Sequence, residues 1–291
     1  MTDIKTIGVV GCGTMGTGIA IVTARAGFKT RLYDTRAEAL EQARKQAAAF
    51  LGKSVARGKM PAGKDQEILA NMLMTTDLND LGDCDLIIEA VFEDLKVKHE
   101  IFSKLNAVCP AHTIFASNTS TISITEIAGG SGRDDRFVGM HFCLPAQLMK
   151  LVEMSAGMKT SEETFARAWA ACEAMGQKPV RTQDTPGFIL NYFLIPWHND
   201  VINMIDQGVA TATDIDLAVK TALGYPLGPL ELLDMVGMDT QLLLCEAMYG
   251  LTHEPRAACP ALVKRMIGAG MLGRKSGRGF YEYGENKIFG A

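Results

Sequence analysis

The sequence predicts an α/β domain with a doubly wound parallel sheet, followed by an all-helical domain. Short β-branched runs alternate with segments of helical spacing through the first two thirds of the 291 residues, a pattern typical of βαβ units. Asp, Thr, Pro and Gly then follow one another at 184–187 and favour a turn. Every long segment after this cluster has helical spacing. We therefore predict two domains, residues 1–184 and 185–291.

The first βαβ unit lies at the start of the chain. Residues 5–10, Lys-Thr-Ile-Gly-Val-Val, predict a buried strand that ends at a glycine turn. Apolar residues at helical spacing predict a helix between Met15 and Gly27, where glycine favours the helix C-terminus. Residues 28–33 alternate as a second strand, which completes the unit.

The rest of the first domain repeats this alternation. We predict helices within 36–58 and 94–107, and short buried strands at 85–91, 113–117 and 137–141. Strands that alternate with helices predict a parallel sheet with helices on both of its faces.

The second domain is predicted to be helical. Five segments have helical spacing: 188–207, interrupted by Pro196, then 213–223, 229–236, 239–250 and 260–270. Apolar side chains lie on more than one face of several of these helices. This indicates that the helices pack against each other or against a second subunit.

Composition excludes several classes of function. The 29 Lys and Arg against 33 Asp and Glu give a net charge of -4, so no global field favours nucleic acid or an anionic membrane. The seven cysteines lack CxxC pairs, which argues against a disulfide framework or a zinc site. We expect no metal and a reducing, cytoplasmic location. Without an uninterrupted apolar run of about 18 residues or a signal-peptide pattern, we expect a protein that is neither exported nor membrane-spanning.

The glycine turn after the first predicted strand matches the fingerprint of a dinucleotide site. Residues 11–16 read GxGxxG between a predicted strand and a predicted helix, and an acidic residue ends the next strand. In a Rossmann-type fold the first glycine allows the tight turn, the second admits a pyrophosphate and the third lets helix and strand pack closely. The predicted cofactor contacts are Gly11, Gly13, Thr14, Met15, Gly16 and Asp34.

Asp34 favours NAD over NADP. Its carboxylate would accept hydrogen bonds from the ribose hydroxyls and repel a 2′-phosphate, although Arg36 weakens that preference. The alternative is a glycine turn that binds no nucleotide. A nucleotide-binding fold alone names no reaction.

Polar residues occupy three further segments where a buried strand end or a core-facing position would otherwise be apolar. They are Ser-Asn-Thr-Ser at 117–120, Gly-Met-His-Phe at 139–142 and Lys-Leu-Val-Glu at 150–153. The first two follow predicted strands at their C-terminal ends, where open parallel sheets bind ligands.

These segments carry a resemblance to a known family. Together with GxGxMGxGIA at 11–20, PGFILN at 186–191 and LGRKSGRGFY at 272–281, they closely resemble the 3-hydroxyacyl-CoA dehydrogenase family, especially its short, single-function 3-hydroxybutyryl-CoA members. The resemblance runs nearly end to end, in order and with matching separations. It implies NAD-dependent oxidation of a 3-hydroxyacyl-CoA by a protein that dimerises.

The resemblance assigns four residues to the chemistry. It makes Ser120 the hydrogen-bond partner of the substrate oxygen, His141 the general base, Glu153 its carboxylate partner and Asn191 a substrate-orienting amide. These residue types suit the oxidation of a secondary alcohol, because a neutral imidazole can take the hydroxyl proton near pH 7. Taken singly, the His could be a core side chain, the Glu a solvated carboxylate, the Ser a helix cap and the Asn an ordinary helix position.

The resemblance also implies contacts with coenzyme A and with the cofactor. Lys53, and less strongly Arg57 and Lys59, fall where the family places cations against the phosphates of coenzyme A. The alternative is a solvated basic face. Glu93 and Lys98 match residues that line the family's cofactor pocket, but both could be exposed helix charges. We also predict that Asn118 contacts the cofactor and that Ser120 and Asn191 contact the substrate.

One segment departs from the family pattern. Family members usually have His-Phe-Phe-Asn-Pro, whereas this chain has Cys143 and Leu144 after His-Phe, and Ala-Gln-Leu at 146–148. Tyr192 also stands where arginine is common. An apolar residue in place of the asparagine removes polar contacts beside the base, so the preferred acyl group is left open. Branched, aromatic or unusual 3-hydroxyacyl thioesters stay possible.

The sequence therefore predicts reversible, NAD-dependent oxidation of a short-chain L-3-hydroxyacyl-CoA by a homodimer, with substrate held between its domains. Two other functions stay open. One is a dehydrogenase of a non-thioester 3-hydroxy acid, such as the carnitine or gulonate enzymes of this architecture. The other is an NAD-binding protein without catalytic activity, which the retention of all four polar residues argues against.

Overall fold

The computed structural model describes residues 2–284, and the chain divides between residues 185 and 186 into two compact units. The first unit is α/β and the second is helical, so the predicted fold class is confirmed. Each unit has its own core of buried apolar side chains. Within the described part of the chain, every helix is too short or too polar to cross a membrane.

The first unit is built around one eight-stranded sheet. Its strands are β1 (Thr6–Val10), β2 (Lys29–Tyr33), β3 (Met72–Thr75), β4 (Leu86–Glu89), β5 (Ile114–Ser117), β6 (Phe137–Phe142), β7 (Leu151–Ala156) and β8 (Lys178–Thr182). Their order in the sheet is β3-β2-β1-β4-β5-β6-β7-β8. Strands β1 to β6 run parallel, β7 is antiparallel to β6, and β8 is parallel to β7.

Helices connect these strands. They are α1 (Thr14–Arg25), α2 (Ala37–Ala56), α3 (Lys64–Ala70), α4 (Leu95–Val108), α5 (Ile124–Gly129) and α6 (Glu162–Ala174). Three of them begin at a residue whose side chain accepts a hydrogen bond from an amide of the first turn. These N-caps are Asp94 of α4, Ser123 of α5 and Ser161 of α6.

The last two strands correct the prediction of a wholly parallel sheet. The segment 143–150 that joins β6 to β7 contains no helix. Because parallel neighbours need a crossover of a dozen or more residues, so short a connection returns the chain antiparallel. Neither β7 nor β8 was predicted as a strand. The short elements α3 and β3, at 64–75, were also not predicted.

The second unit contains helices α7 (Leu190–Asp206), α8 (Ala212–Leu223), α9 (Pro229–Val236), α10 (Met238–Thr252) and α11 (Ala261–Gly268). The predicted interruption at Pro196 is wrong, since α7 continues through it. Buried residues on both sides, Ile195 and Asn199, anchor the helix, so tertiary packing outweighs the missing backbone donor. The helix begins two residues later than predicted, because Gly187 and Phe188 have positive φ angles of 78° and 50°.

A buried histidine in α7 makes the second unit sensitive to acid. His198 is only 4% exposed, and burial lowers its pKa from 6.5 to about 4. The unfolded chain therefore binds a proton between these two pH values that the folded chain does not. We expect this group to remove on the order of 3 kcal/mol of unfolding free energy as the pH falls from 6.5 to 4.

Urea unfolding at pH 7.5 and 4.5 tests this expectation. The variant His198→Gln should lose less stability than the wild type over that range, because its side chain does not titrate. The control is His112→Gln, at an exposed histidine of the first unit. Equal pH slopes for the wild type and His198→Gln would contradict the assignment.

Candidate active site

The glycine turn between β1 and α1 is shaped for a dinucleotide. Gly11 has a φ of 100°, and a Cβ atom at Gly16 would lie 1.8 Å from the carbonyl oxygen of Gly11, so only glycine fits there. At Gly13 a Cβ atom would meet nothing within 4 Å, so the backbone is open to an approaching ligand. No side chain caps the first turn of α1, and its amides are available for a pyrophosphate.

Asp34 lies one residue after β2 and orders this turn. Its carboxylate accepts hydrogen bonds from the amides of Cys12 at 2.9 Å and Arg36 at 3.0 Å. The guanidinium of Arg36 lies 3.6 Å from the same carboxylate and is largely exposed. The residues present therefore fit an NAD molecule: the turn and the helix N-terminus would hold its pyrophosphate and Asp34 its ribose.

The strand register brings the predicted base and its acid together. On the antiparallel pair β6 and β7, His141 and Glu153 are direct partners. The Nδ1 atom of His141 lies 2.8 Å from Oε2 of Glu153, and both side chains are buried. Because the carboxylate can only accept, this contact favours a proton on Nδ1 and leaves the lone pair on Nε2.

Ser120 lies on the other side of the imidazole. The loop after β5 carries it, and its Oγ atom is 3.1 Å from Nε2 of His141. Ser120 does not cap the helix that follows, as the alternative interpretation suggested, because Ser123 is the N-cap of α5. Ser120, His141 and Glu153 therefore form a continuous row of hydrogen-bonding groups.

The structure places Asn118, Glu93 and Lys98 around the same loop. The side-chain oxygen of Asn118 accepts a hydrogen bond from the amide of Phe142 at 2.9 Å, which ties the end of β5 to β6. Glu93 accepts from the amide of Ser120 at 2.8 Å. Lys98 is 1% exposed, so the interpretation of it as an exposed helix charge is wrong.

Ionic contacts keep Glu93 charged. Burial would raise the pKa of its carboxyl, but the nearby Lys98 charge and hydrogen bonds from residues 119–121 hold the pKa below its ordinary value. Lys98 lies 3.2 Å from Glu93 and 2.7 Å from Glu89. The roles of Glu93, Lys98 and Asn118 toward the cofactor stay predictions.

The remaining predicted residues lie elsewhere in the two units. Lys53 is in the last turn of α2, Arg57 follows that helix directly, and Lys59 comes two residues later; all three are exposed. Asn191 lies in the first turn of α7 in the second unit and is half-buried. Their contacts with substrate stay predictions.

The segment that departs from the family pattern is apolar at the surface. Leu144 and Leu148 are exposed by 52% and 57%. Burial, followed by the charge of Glu153, raises the pKa of the Cys143 thiol to about 11. Cys143 is therefore a neutral thiol at pH 7.

Sequence reasoning missed Glu89, a charged residue at the end of β4. Its carboxylate is fully buried and contacts Ser117 and Lys98. The signal was present in the sequence, since a glutamate that follows Leu-Ile-Ile in a strand buried on both sides is unusual. Among residues 2–284, no three His, Cys, Asp or Glu side chains are grouped so that they could hold a metal ion.

Fold and site together define a Rossmann-type dehydrogenase, with a dinucleotide turn and an acid-supported imidazole on strands of one sheet. Residues 6–185 match the NAD binding domain of 3-hydroxyacyl-CoA dehydrogenase, and residues 187–283 match the C-terminal domain of the same family. The chain belongs to the 3-hydroxyacyl-CoA dehydrogenase family. It is an NAD-dependent oxidoreductase.

Similar proteins cover the chain almost completely. A probable 3-hydroxybutyryl-CoA dehydrogenase of Bacillus subtilis is 41% identical over 97% of this chain and 99% of its own length. The crystal structure of FadB2 from M. tuberculosis has a TM-score of 0.93 at 40% identity and covers 96% of this chain and 99% of its own. The crystal structure of the (S)-3-hydroxybutyryl-CoA dehydrogenase PaaH1 from Ralstonia eutropha has a TM-score of 0.91 at 36% identity. It covers 97% of this chain and 100% of its own.

Proposed function

We propose that this chain catalyses the reversible oxidation of a short-chain L-3-hydroxyacyl-CoA to the 3-oxoacyl-CoA, with His141 as the general base. The observation that carries the proposal is the row of contacts from Ser120 through His141 to Glu153, at 3.1 and 2.8 Å. Similarity to enzymes named for 3-hydroxybutyryl-CoA supports a short acyl chain and the L configuration.

The proton of the substrate hydroxyl passes to Nε2 of His141 in this proposal. Glu153 holds the imidazole through Nδ1 and stabilises the imidazolium that forms. Ser120 and Asn191 donate hydrogen bonds to the substrate oxygen as its charge develops. NAD, when bound, would supply the acceptor for the hydride that leaves the alcohol carbon. In the reverse direction His141 returns the proton to the oxygen.

In this proposal the enzyme binds its substrate through the coenzyme A group. The cations Lys53, Arg57 and Lys59 support this, since they lie together at the exposed end of α2 and just beyond it. An exposed basic group of this kind suits phosphate oxygens. The apolar and exposed Leu144 and Leu148, which follow His141 closely in the chain, support an acyl group without charge.

A rate panel tests the substrate class. We expect acetoacetyl-CoA with NADH to exceed free acetoacetate by at least about 100-fold in kcat/KM, because binding energy from the coenzyme A group is used to orient the reacting carbon. NADH should exceed NADPH, because the Asp34 carboxylate repels a 2′-phosphate. Longer and branched 3-oxoacyl-CoA thioesters in the same panel define the acyl pocket. Equal rates for the thioester and the free acid would favour the non-thioester dehydrogenase.

We also propose that the first unit binds NAD and that the second contributes to substrate binding, through Asn191, and forms a homodimer. Exposed apolar side chains on the described helices of the second unit support the dimer; they include Phe193, Leu217, Leu223, Leu243 and Leu251. Light scattering should give twice the chain mass. Leu217→Glu combined with Leu223→Glu should lower that mass if α8 lies in the interface, whereas Met158→Glu, at an exposed residue of the first unit, should not.

The seven free cysteines support a reducing, cytoplasmic location for the protein.

A further inference from the structure

An ionic network, buried at Glu89 and Lys98, connects to the loop that carries Ser120. It starts at Glu89, the last residue of β4, which is fully buried and is the register partner of Ser117 on β5. The carboxylate accepts three hydrogen bonds. Its Oε1 atom accepts from Nζ of Lys98 and from the amide of Val91, both at 2.7 Å, and its Oε2 atom accepts from Oγ of Ser117 at 2.6 Å.

Lys98 carries the network from β4 to the loop. Its ammonium group lies between Glu89 at 2.7 Å and Oε2 of Glu93 at 3.2 Å. The other oxygen of Glu93 accepts from the amides of Ser120 and Thr121 at 2.8 and 3.1 Å. Glu93 is therefore fixed on one side by Lys98 and on the other by the backbone of Ser120.

A second connection joins Glu89 to the same loop. The hydroxyl of Ser117 donates to Glu89 and accepts from the amide of Thr119 at 3.2 Å. Thr119 also donates its hydroxyl to Glu93 at 2.6 Å. The loop backbone is thus held on both sides of its turn, and both connections end at the carboxylate of Glu89.

We propose that Glu89 is a positioning residue for the dehydrogenase reaction. It fixes Lys98 and Ser117, and through them it sets the backbone position from which Ser120 reaches Nε2 of His141. This inference rests on the proposed function of Ser120 and His141. Glu89 itself takes no part in proton transfer.

The burial of these charges supports a positional role. Removing a carboxylate and an ammonium group from water is costly, and an apolar pair of similar volume is often equally stable. Stability alone therefore does not require Glu89 and Lys98. A fixed carboxylate with three converging donors, in contrast, restricts a loop to one geometry. Catalysis requires this, because a reacting side chain must be held within about 0.5 Å of its productive position.

Steady-state kinetics of Glu89→Gln test the proposal, with Glu100→Gln on exposed α4 surface as the matched control. The amide keeps the shape of Glu89 but removes the charge that holds Lys98. We expect kcat for acetoacetyl-CoA reduction to fall on the order of 10-fold, with KM for the thioester changed by less than about twofold. Unchanged kcat in Glu89→Gln, or an equal loss in Glu100→Gln, overturns the proposal.

A double-mutant cycle with Ser120→Ala shows whether Glu89 acts through Ser120. Once the hydroxyl is absent, its position has no further effect, so Glu89→Gln should change kcat by less than about twofold in that background. A full 10-fold loss in both backgrounds overturns the proposed route. If Ser120→Ala and His141→Gln retain wild-type turnover, the proposed function fails; if both lose turnover and Glu89→Gln does not, only the present inference fails.

The variant Glu89→Gln with Lys98→Met separates position from stability. It removes both buried charges. In Glu89→Gln alone, the buried ammonium of Lys98 loses the charge of Glu89, whereas the double variant has no ammonium, so its melting temperature should be higher than that of Glu89→Gln. We expect kcat to stay low despite this recovery. If kcat returns together with the melting temperature, the network is only structural. If Glu89→Gln weakens NADH binding and leaves kcat unchanged, the network serves the cofactor pocket instead of Ser120.

Discussion

His141→Gln should lower kcat for acetoacetyl-CoA reduction by about 1,000-fold, within the range that general acid–base groups contribute. Glutamine can still contact Glu153 and Ser120, so the site keeps much of its packing, but an amide can neither take nor give the proton at neutral pH. NADH binding, followed by fluorescence, should stay within about twofold of the wild type, because the dinucleotide turn lies on β1 and α1.

The matched control is His112→Gln. His112 is exposed on the same unit, where Nε2 contacts Asp85 at 3.3 Å, so its loss tests histidine replacement away from the site. We expect wild-type kcat for this control. In the oxidation direction, the residual rate of His141→Gln should rise with pH as hydroxide replaces the missing base. Wild-type turnover by His141→Gln would show that the base is another group.

The sequence predicted the parts of the fold that depend on local pattern. The strand, glycine turn and helix of the first βαβ unit follow from the β-branched run at 6–10 and the fingerprint at 11–16. Asp34 was placed correctly directly after β2, because the alternation that marks the strand runs through residues 28–33 and stops there. These features require no information about distant residues.

The direction of β7 could not be predicted from such a pattern. The residues Leu-Val-Glu-Met-Ser-Ala suit either strand direction, and only the short connection after β6 makes β7 antiparallel. That reversal gives the register in which His141 faces Glu153. The family resemblance predicted that these two residues contact each other, but the physical cause of the contact is the antiparallel register of β6 and β7.

The ionic network of Glu89, Lys98 and Glu93 also could not be predicted from the sequence. Glu93 and Lys98 are five residues apart and read equally well as exposed charges, because neither position shows what packs above it. Lys98 is buried and contacts Glu89 and Glu93, and Glu93 in turn accepts from Ser120 in the loop after β5, more than twenty residues further along the chain. Glu89 carried a usable signal, a charge in a buried strand, but its partners become identifiable only in three dimensions.

Glu153→Gln tests the carboxylate partner of His141 and should lower kcat by roughly 100- to 10,000-fold. The carboxylate accepts from Nδ1 of His141 at 2.8 Å, which keeps the lone pair on Nε2. Glutamine can instead donate its amide hydrogen to Nδ1. The proton then moves to Nε2, which faces Ser120 and can no longer accept from the substrate.

The control for this variant is Glu126→Gln, an exposed glutamate on α5 in the same unit. It should keep wild-type kcat, and circular dichroism should show that both variants are folded. Retention of more than about a tenth of wild-type kcat by Glu153→Gln would show that the imidazole does not need this partner.

The double variant His141→Gln with Glu153→Gln distinguishes a coupled pair from two separate groups. If Glu153 acts only by holding the imidazole, its replacement has little left to remove once the imidazole is gone. The double variant should then be about as active as His141→Gln alone, as expected for residues that work as a unit. A further loss of 100-fold or more would mean that Glu153 also acts on the substrate directly, and the chain of contacts from Ser120 to Glu153 would need a different chemical interpretation.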